Sequence, residues 1–229
     1  MLRQRSAADE IMDDASVTEA EFSSALTDLE RINRMSLAYR PVLRWLDRVV
    51  AANGGAQRLS VLDVGAGGGD MLEAVAAWGE RRGVALDLAG LDRSPWAGRH
   101  AAGRGRPGRW ITADLFDLDE GERFDVVLCS LFAHHLPHPV LVRFLRWLDA
   151  RAERGWLISD LHRHPVPWAV VWAGVRLLRM DPMVVHDSTV SIARGFARSD
   201  WEKALREAGV AAEVRWAFPF RWQVGTIRG

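Results

Sequence analysis

The chain has 229 residues, of which 48% are hydrophobic and 26% charged, a composition typical of globular proteins rather than disordered or fibrous ones. Thirty basic residues balance thirty acidic ones, so no overall field attracts nucleic acid or anionic lipid. The single cysteine, Cys129, excludes an intrachain disulfide, and the charged N-terminal stretch lacks the apolar core of a secretory signal. We therefore expect a cytoplasmic protein. Its longest apolar run, residues 165–175, is too short to span a bilayer.

The order of predicted elements indicates an α/β protein. Apolar residues at helical spacing predict helices over residues 21–35 and 36–53. Strands and helices then alternate, which implies a parallel sheet with right-handed crossovers. The five predicted strands are RLSVLDVG, VALDLAGLD, RWITADL, FDVVLCSLF and GWLISDL. Two β-rich segments at the end, AAEVRWAFPF and RWQVGTI, follow each other so closely that they should pair as an antiparallel hairpin.

The region between the fifth strand and the hairpin is less regular. We predict a helix over residues 165–180, an irregular stretch over 181–196, and a final helix with Ser199 as its N-cap. Long irregular stretches are often binding loops, so His186 and Arg194 are candidate site residues. Trp168 and Trp172 share a helix face, which predicts core packing or an aromatic substrate pocket.

The strongest local signal is VLDVGAGGGD, in which an apolar strand runs into a glycine-rich turn and a helix begins at once. Such a turn lets a ligand approach the backbone closely, although a turn without a ligand is the alternative. Asp92 ends the second strand, where a doubly wound fold places a carboxylate for ribose hydroxyls. The dinucleotide spacing G-x-G-x-x-G fails, because Asp70 and Leu72 occupy its last position in the two registers. Asp63 would repel a pyrophosphate but could hold an ammonium group, so the charges favour S-adenosylmethionine.

These motifs, in this order, resemble those of class I S-adenosylmethionine-dependent methyltransferases from residue 58 to the C-terminus. The resemblance implies a doubly wound, Rossmann-like α/β sheet of seven strands in the order 3-2-1-4-5-7-6, with the last strand pair antiparallel. It also implies an N-terminal helical lid over residues 1–56 and a cofactor-binding domain over residues 57–229. A further lid insertion is expected at about residues 163–197.

The resemblance also implies where S-adenosylmethionine binds. The methionine part contacts the glycine turn and the end of the fourth strand, the ribose contacts the end of the second strand, and the adenine contacts the residues after the third. The implied cofactor residues are Asp63, Gly65, Ala66, Gly67, Asp92, Arg93, Asp114, Leu115, Ser130 and Leu131. From the first helices, Arg34 or Arg40 could reach the carboxylate of the cofactor.

The catalytic candidates are histidines. An acceptor hydroxyl must lose its proton, for which a base of near-neutral pKa is useful. His134 and His135 follow the fourth strand, at the carboxyl end where open sheets bind ligands. We predict His135 as general base, with His134 as its rival and His186 as a further candidate. Adjacent residues usually point different ways, so at most one of the pair should face the substrate; packing or capping by both is the alternative.

A metal site is the less favoured interpretation. Asp160, His162 and His164, with His134 nearby, could ligate an ion, but no tight ligand spacing is present and methyl transfer needs no metal. We therefore predict no metal.

A narrower resemblance concerns the acceptor. The segments LERINRMSLAYRPVLRWL and SLFAHHL resemble bacterial methyltransferases that modify phenolic, quinone-like or polyketide metabolites. We predict O-methylation of a small aromatic, phenolic or polyketide-like metabolite, with C-methylation of a quinone or polyketide ring as the alternative. A nicotinamide oxidoreductase and a catalytically silent S-adenosylmethionine-binding domain are the competing classes. Expected partners are a small-molecule acceptor and a second copy in a homodimer, with no nucleic acid and no stable membrane insertion.

Overall fold

The computed structural model describes residues 2–14 and 16–229. Its strands are β1 (Arg58–Val64), β2 (Ala85–Asp92), β3 (Arg109–Thr112), β4 (Phe124–Ser130), β5 (Ala152–Leu161), β6 (Glu213–Ala217) and β7 (Arg221–Ile227). They form one sheet in the order β3-β2-β1-β4-β5-β7-β6. The first five strands pair in parallel, whereas β7 runs antiparallel to both β5 and β6. The predicted strand order and antiparallel tail are confirmed.

Helices cover both faces of the sheet. In the part of the chain that the structure describes they are α1 (Glu19–Met35), α2 (Tyr39–Ala52), α3 (Asp70–Arg82), α4 (Pro95–Gly103), α5 (His138–Arg151), α6 (Pro165–Leu177), α7 (Pro182–Arg194) and α8 (Arg198–Ala208). Among these residues, no helix combines the length and apolar character needed to cross a membrane.

The core lies in two layers, one on each side of the sheet. In β4, Val127 packs with the side chains of α5 and α8, whereas its neighbour Leu128 packs with those of α2 and α3. Successive strand residues point to opposite faces, and here both faces are buried. This is why the central strands appear in the sequence as almost unbroken apolar runs.

The stretch predicted to be irregular is helix α7, so that prediction is wrong. Asp181 caps the helix by accepting a hydrogen bond from the Met183 N–H at 2.9 Å, and Pro182 occupies the first helical position. Met183 and Val184 are buried in one cluster with Phe22 of α1 and side chains of α6. Burial of this face stabilises α7, although its apolar residues are too sparsely spaced to predict a helix from the sequence.

The predicted N-cap of the last helix is also wrong. Helix α8 begins at Arg198, which places Ser199 inside its first turn and Ala197 at the cap. The Asp200 carboxylate accepts from the Ala197 N–H at 2.7 Å and from Arg163 at 2.9 Å. This side chain therefore satisfies the first turn, and Ser199 is not needed as a cap.

The N-terminal segment, residues 2–14, packs against parts of the molecule that are distant from it in the sequence. The backbone N–H groups of Ile11 and Met12 both donate to the Asp187 carboxylate of α7, at 2.8 and 2.9 Å. Nearby, Arg5 donates to the carbonyls of His134 and Leu136 at 3.0 and 3.1 Å. These contacts fix the segment beside the ends of β4 and β5.

Candidate active site

A cavity of about 620 Å³ lies at the carboxyl ends of the parallel strands, within the size range of small-molecule sites. The ends of β1 to β5 form its floor, and α1, α7 and the N-terminal segment contribute to its walls. All ten predicted cofactor residues border this cavity, as do His134 and His135.

The glycine turn forms one side of the cavity. Gly65 and Gly67 have φ angles of +70° and +50°, in the left-handed region that glycine adopts most readily. The Gly65 and Ala66 N–H groups donate to the Leu91 carbonyl at 2.9 and 3.1 Å. A Cβ atom on Gly65 would lie 2.6 Å from ring atoms of Phe132. Conformation and space both require glycine at position 65, and the turn is held against the ends of β2 and β4.

Asp92, the predicted ribose contact, lies at the end of β2 beside the glycine turn. Its Oδ2 accepts from the Gly67 N–H at 2.9 Å and its Oδ1 from the Ser94 N–H at 2.8 Å. Burial raises the pKa of Asp92, and these two amides act in the opposite direction. A carboxylate has about four acceptor positions. Both oxygens therefore retain capacity to accept from ligand hydroxyls.

Asp63 is a buried acid with an unsatisfied oxygen. It is 2% exposed, and within the described residues its Oδ1 has no hydrogen-bond partner. Burial, together with the neighbouring carboxylates of Asp70 and Asp92, raises the pKa of Asp63 well above its usual value. A cationic group in the cavity would relieve this cost, as expected for a contact with an ammonium group.

Arg221 is a buried base on the same cavity that the sequence analysis missed. It is 4% exposed, and its Nε and Nη1 find no partner in the described part of the chain. Burial lowers the pKa of Arg221 to about 10, although nearby acidic groups, Asp160 first, favour its charged form. The predicted carboxylate ligands, Arg34 and Arg40, do not line the cavity; Arg34 pairs with Glu30 at 2.6 Å. The sequence feature that could have indicated a buried base is the single charged residue in the strand RWQVGTI.

The positions expected near adenine and methionine lie at the ends of β3 and β4. The Asp114 Oδ1 accepts from the Phe116 N–H at 2.9 Å and caps a short 3-10 helix, and Leu115 is buried beside it. Leu131 has a φ of +57°, rare for a residue with a branched side chain, and its N–H donates to the Ser159 carbonyl at 3.0 Å. Backbone strain of this kind concentrates at functional sites.

Both histidines of the pair line the cavity, where at most one is expected to face a substrate. Residues Ala133–His135 form one turn of 3-10 helix, in which successive side chains are about 120° apart rather than opposed as in a strand. The two rings lie 4.4 Å apart, and the His135 ring also stacks on Phe132.

Each histidine is oriented by a carboxylate. The His134 Nδ1 lies 2.8 Å from Asp160 Oδ1, and its backbone N–H donates to Asp160 Oδ2 at 3.1 Å. Although burial opposes its ionisation, the contacts with His134 keep the pKa of Asp160 below its usual value. The His135 Nδ1 lies 2.8 Å from Asp13 Oδ2. An ionised carboxylate only accepts, so Nδ1 is the donor in both rings, and in a neutral ring Nε2 is then the nitrogen with the lone pair.

Glu10, a second residue that sequence reasoning missed, lies beside both Nε2 atoms. It is 5% exposed, and burial raises its pKa to about 7, although His135 favours the charged form. Its side chain borders the cavity together with Met12 and Asp13. The acidic motif EIMDD carries these residues, but nothing in the chain order connects it with the end of β4.

The remaining candidates lie away from the cavity lining. His186 is half exposed on α7 and its Nδ1 lies 2.8 Å from Asp187. Of the residues considered as metal ligands, His162 and His164 stack on Phe220. Asp160, by contrast, contacts His134. Trp168 and Trp172 do not line the cavity either, and Trp172 is 45% exposed.

The Arg194 side chain forms hydrogen bonds with the backbone of the turn after β4. It donates to the carbonyls of His134 and His135 at 3.2 and 2.9 Å, which steadies the turn carrying the pair.

The chain is similar in sequence to known methyltransferases. Residues 61–154 match the family described as a methyltransferase domain. The ubiquinone biosynthesis O-methyltransferase of Leptothrix cholodnii is 32% identical over 152 residues, covering 63% of this chain and 61% of that protein. The chain thus spans about three fifths of that relative's length. The protein of the same name from Thiobacillus denitrificans is 28% identical over 181 residues, covering 75% and 71%.

Two solved structures share the fold at low sequence identity. The plantazolicin methyltransferase BpumL in complex with SAH has a TM-score of 0.67 and 14% identity, covering 92% of this chain and 96% of that one. The magnesium protoporphyrin IX methyltransferase of Synechocystis PCC 6803 with bound SAH has a TM-score of 0.57 and 18% identity, covering 96% and 91%.

Proposed function

We propose that this chain, which belongs to the class I S-adenosylmethionine-dependent methyltransferases, O-methylates a small aromatic or phenolic acceptor. The observation that carries the proposal is a single cavity lined by a buried acid and a buried base with unsatisfied atoms, a ribose-type carboxylate, and two oriented histidines. A buried free thiol at Cys129 is consistent with a cytoplasmic location, which remains part of the proposal.

The residues present fit S-adenosylmethionine, which when bound supplies an electrophilic methyl group on sulfur. Asp63 would hold the ammonium group and Arg221 the carboxylate of its amino-acid part. This pairing satisfies the atoms that Asp63 and Arg221 leave unpaired within the described chain. Asp92 would accept from the ribose hydroxyls, and Asp114 and Leu115 would border the adenine.

The rest of the cavity supports an apolar acceptor. Its wall includes the apolar side chains of Leu26, Leu29, Phe132, Met183 and Ile192. Such a surface buries an aromatic or aliphatic skeleton favourably, while a few polar groups set its orientation. The names of the sequence relatives, which are O-methyltransferases of ubiquinone biosynthesis, support an acceptor of related chemistry.

We assign activation of the acceptor hydroxyl to the histidine pair. Each ring donates through Nδ1 to a carboxylate, so in its neutral form each ring offers the Nε2 lone pair at the cavity. A base oriented in this way accelerates proton transfer by about 10²–10⁴-fold. The pair favours oxygen over ring carbon as the methyl acceptor, because a hydroxyl has a proton for these nitrogens to attract.

Calorimetric titration tests the cofactor assignment. Wild-type protein should bind one S-adenosylhomocysteine per chain and should not bind NADH. Asp92→Ala should weaken S-adenosylhomocysteine binding about 10- to 100-fold, because hydrogen bonds to a charged group are lost. Asp117→Ala, at an exposed carboxylate outside the cavity lining, is the matched control and should leave affinity unchanged. Binding of NADH without S-adenosylhomocysteine would overturn the proposal.

A mass-spectrometric screen tests the reaction itself. Phenols, hydroquinones and polyketide-derived aromatics are incubated with the enzyme and S-adenosylmethionine, and products are sorted into methyl ethers and ring-methylated compounds. Methyl ethers are expected. Ring methylation alone would replace O-methylation with C-methylation, and retained cofactor binding without any product would favour a silent binding domain.

A further inference from the structure

The N-terminal segment and the turn after β4 bring three metal-ligating side chains together. The Glu–His–His cluster consists of Glu10, His134 and His135, whose ligand atoms all lie within 4.8 Å of one another. Glu10 Oε1 lies 3.6 Å from His134 Nε2, and Oε2 lies 3.7 Å from His135 Nε2. Both separations are longer than hydrogen bonds. Two ligand atoms bound to one tetrahedral zinc ion lie about 3.4 Å apart, close to what is found here.

The Nδ1 atoms of both imidazole rings, which face away from Glu10, make hydrogen bonds typical of metal-binding histidines. Histidines that bind metals almost always donate their other ring N–H to a carboxylate, a backbone carbonyl or water. In this cluster His134 donates to Asp160 and His135 to Asp13, each at 2.8 Å. Both Nε2 atoms are therefore on the side of Glu10, and each is the nitrogen free to bind a metal when its ring is neutral. General packing of histidines does not require two such carboxylates.

The carboxylate of the cluster is incompletely satisfied. Within residues 2–14 and 16–229, Glu10 Oε1 is buried without a hydrogen-bond partner. Beyond the two imidazole rings, the basic side chain that pairs with this oxygen is Arg194, whose Nε is 3.9 Å away. The Arg194 donors make their hydrogen bonds to the carbonyls of Ala8, His134 and His135 instead. A buried carboxylate and two imidazole rings thus converge, and the arginine beside them gives the carboxylate a charge contact without a hydrogen bond.

We propose that Glu10, His134 and His135 bind a divalent transition-metal ion of the zinc class. Two histidines and one carboxylate are the ligand set of catalytic sites in zinc and non-haem iron enzymes, which keep open coordination positions. All three residues border the cavity, so an open position can take an acceptor oxygen.

This assignment rests on the proposed function. It implies that the acceptor has a hydroxyl oxygen that can bind the metal ion. The hydroxyl O–H bond breaks, the proton passes to water, and the oxygen stays on the ion as an anion. The ion lowers the pKa of a bound hydroxyl as it does that of bound water. The two histidines then act together through the ion rather than singly as bases.

Metal binding by the full chain tests the inference without reference to turnover. Protein dialysed against a chelator is titrated with Co²⁺, followed by visible absorption, and with Zn²⁺, followed by calorimetry. One ion per chain is expected. Glu10→Gln should weaken Co²⁺ binding at least about 100-fold because a ligand is lost, and Asp13→Asn, at a partly exposed position, should weaken it about 10- to 100-fold. Glu207→Gln, at a surface glutamate that pairs with His138 and Lys203, should not change it.

The outcomes separate the two proposals. No stoichiometric Co²⁺ binding by wild type, or binding that neither Glu10→Gln nor Asp13→Asn weakens, overturns the metal site. S-adenosylhomocysteine binding measured on the same samples then reports independently on the cofactor site. Metal binding without S-adenosylhomocysteine binding would retain the metal site and overturn the proposed function.

Discussion

The cavity has two halves that are built in different ways. The cofactor half comprises the glycine turn and the ends of β2 and β3, and its central contact, Gly67 with Asp92, joins residues 25 apart in the chain. The acceptor half joins the N-terminal segment, the turn after β4, and α7. Its contacts, Asp13 with His135 and Ile11 with Asp187, span 122 and 176 residues. Apart from Arg221, which comes from β7, the cofactor half is a local supersecondary unit, whereas the acceptor half exists only once the whole chain has folded.

The halves also differ in how their charges are satisfied. In the cofactor half, Asp63 and Arg221 are buried with unpaired atoms among the described residues. In the acceptor half, His134 and His135 are each held by a carboxylate, and the unpaired atom is Glu10 Oε1. We interpret the unpaired buried charges of the cofactor half as a binding site for a zwitterionic ligand. We interpret the oriented histidines of the acceptor half as catalytic groups held in position before the substrate binds. Substitutions in either half should therefore affect different measurements.

The largest effect is expected for Asp160→Asn in the acceptor half. Turnover with an acceptor from the screen should fall about 100-fold, because His134 loses the charge that orients and polarises it. The Kd for S-adenosylhomocysteine should rise by no more than about threefold, since Asp160 favours the charge of Arg221 but does not itself line the cavity. Asp87→Asn, at an exposed carboxylate of β2, is the control. Equal losses of turnover and cofactor affinity would show that the two halves are not separable.

A smaller effect is expected for Arg221→Met in the cofactor half. The Kd for S-adenosylhomocysteine should rise about tenfold, the low end for losing a charge-assisted hydrogen bond. The unfolding free energy of the ligand-free protein should not fall, because an apolar side chain replaces a buried cation that lacks full pairing. Arg34→Met, which removes a partly exposed arginine beside Glu30, should leave the Kd unchanged. An unaltered Kd in Arg221→Met would remove Arg221 from the cofactor site.

The smallest effect concerns the pH dependence of stability through Asp63. Its pKa is raised in the folded protein above the usual 3.8, so the folded state holds a proton that the unfolded chain has released. The stability that this proton contributes is complete below about pH 3.8 and is lost as the pH rises through the folded-state pKa. Relative to Asp63→Asn, the unfolding free energy of wild type should therefore fall as the pH rises from 4 to 8.

Urea denaturation across this pH range measures the difference between the two proteins. Saturating S-adenosylhomocysteine should reduce the slope in wild type, because its ammonium group stabilises the Asp63 carboxylate. Parallel profiles for wild type and Asp63→Asn would contradict the buried, protonated state of this acid.

The sequence is sufficient to predict the alternating fold, the candidate cofactor residues and, through its resemblance, the strand order. These follow from short-range patterns: apolar runs for buried strands, glycines for a left-handed turn, and Asp92 at the next strand end. Helix α7 was missed because its burial against α1 and α6 is a tertiary property.

The chemistry of the acceptor half, and the place of Arg221 in the cofactor half, depend on long-range packing. Glu10 and Asp13 reach His134 and His135 through a segment whose path no local pattern specifies, and Arg221 reaches the cavity because β7 inserts beside β5. A single 3-10 turn places both histidines on one wall, where alternation would have separated them. Such contacts depend on which distant surfaces bury each other, and that is settled by packing of the whole chain.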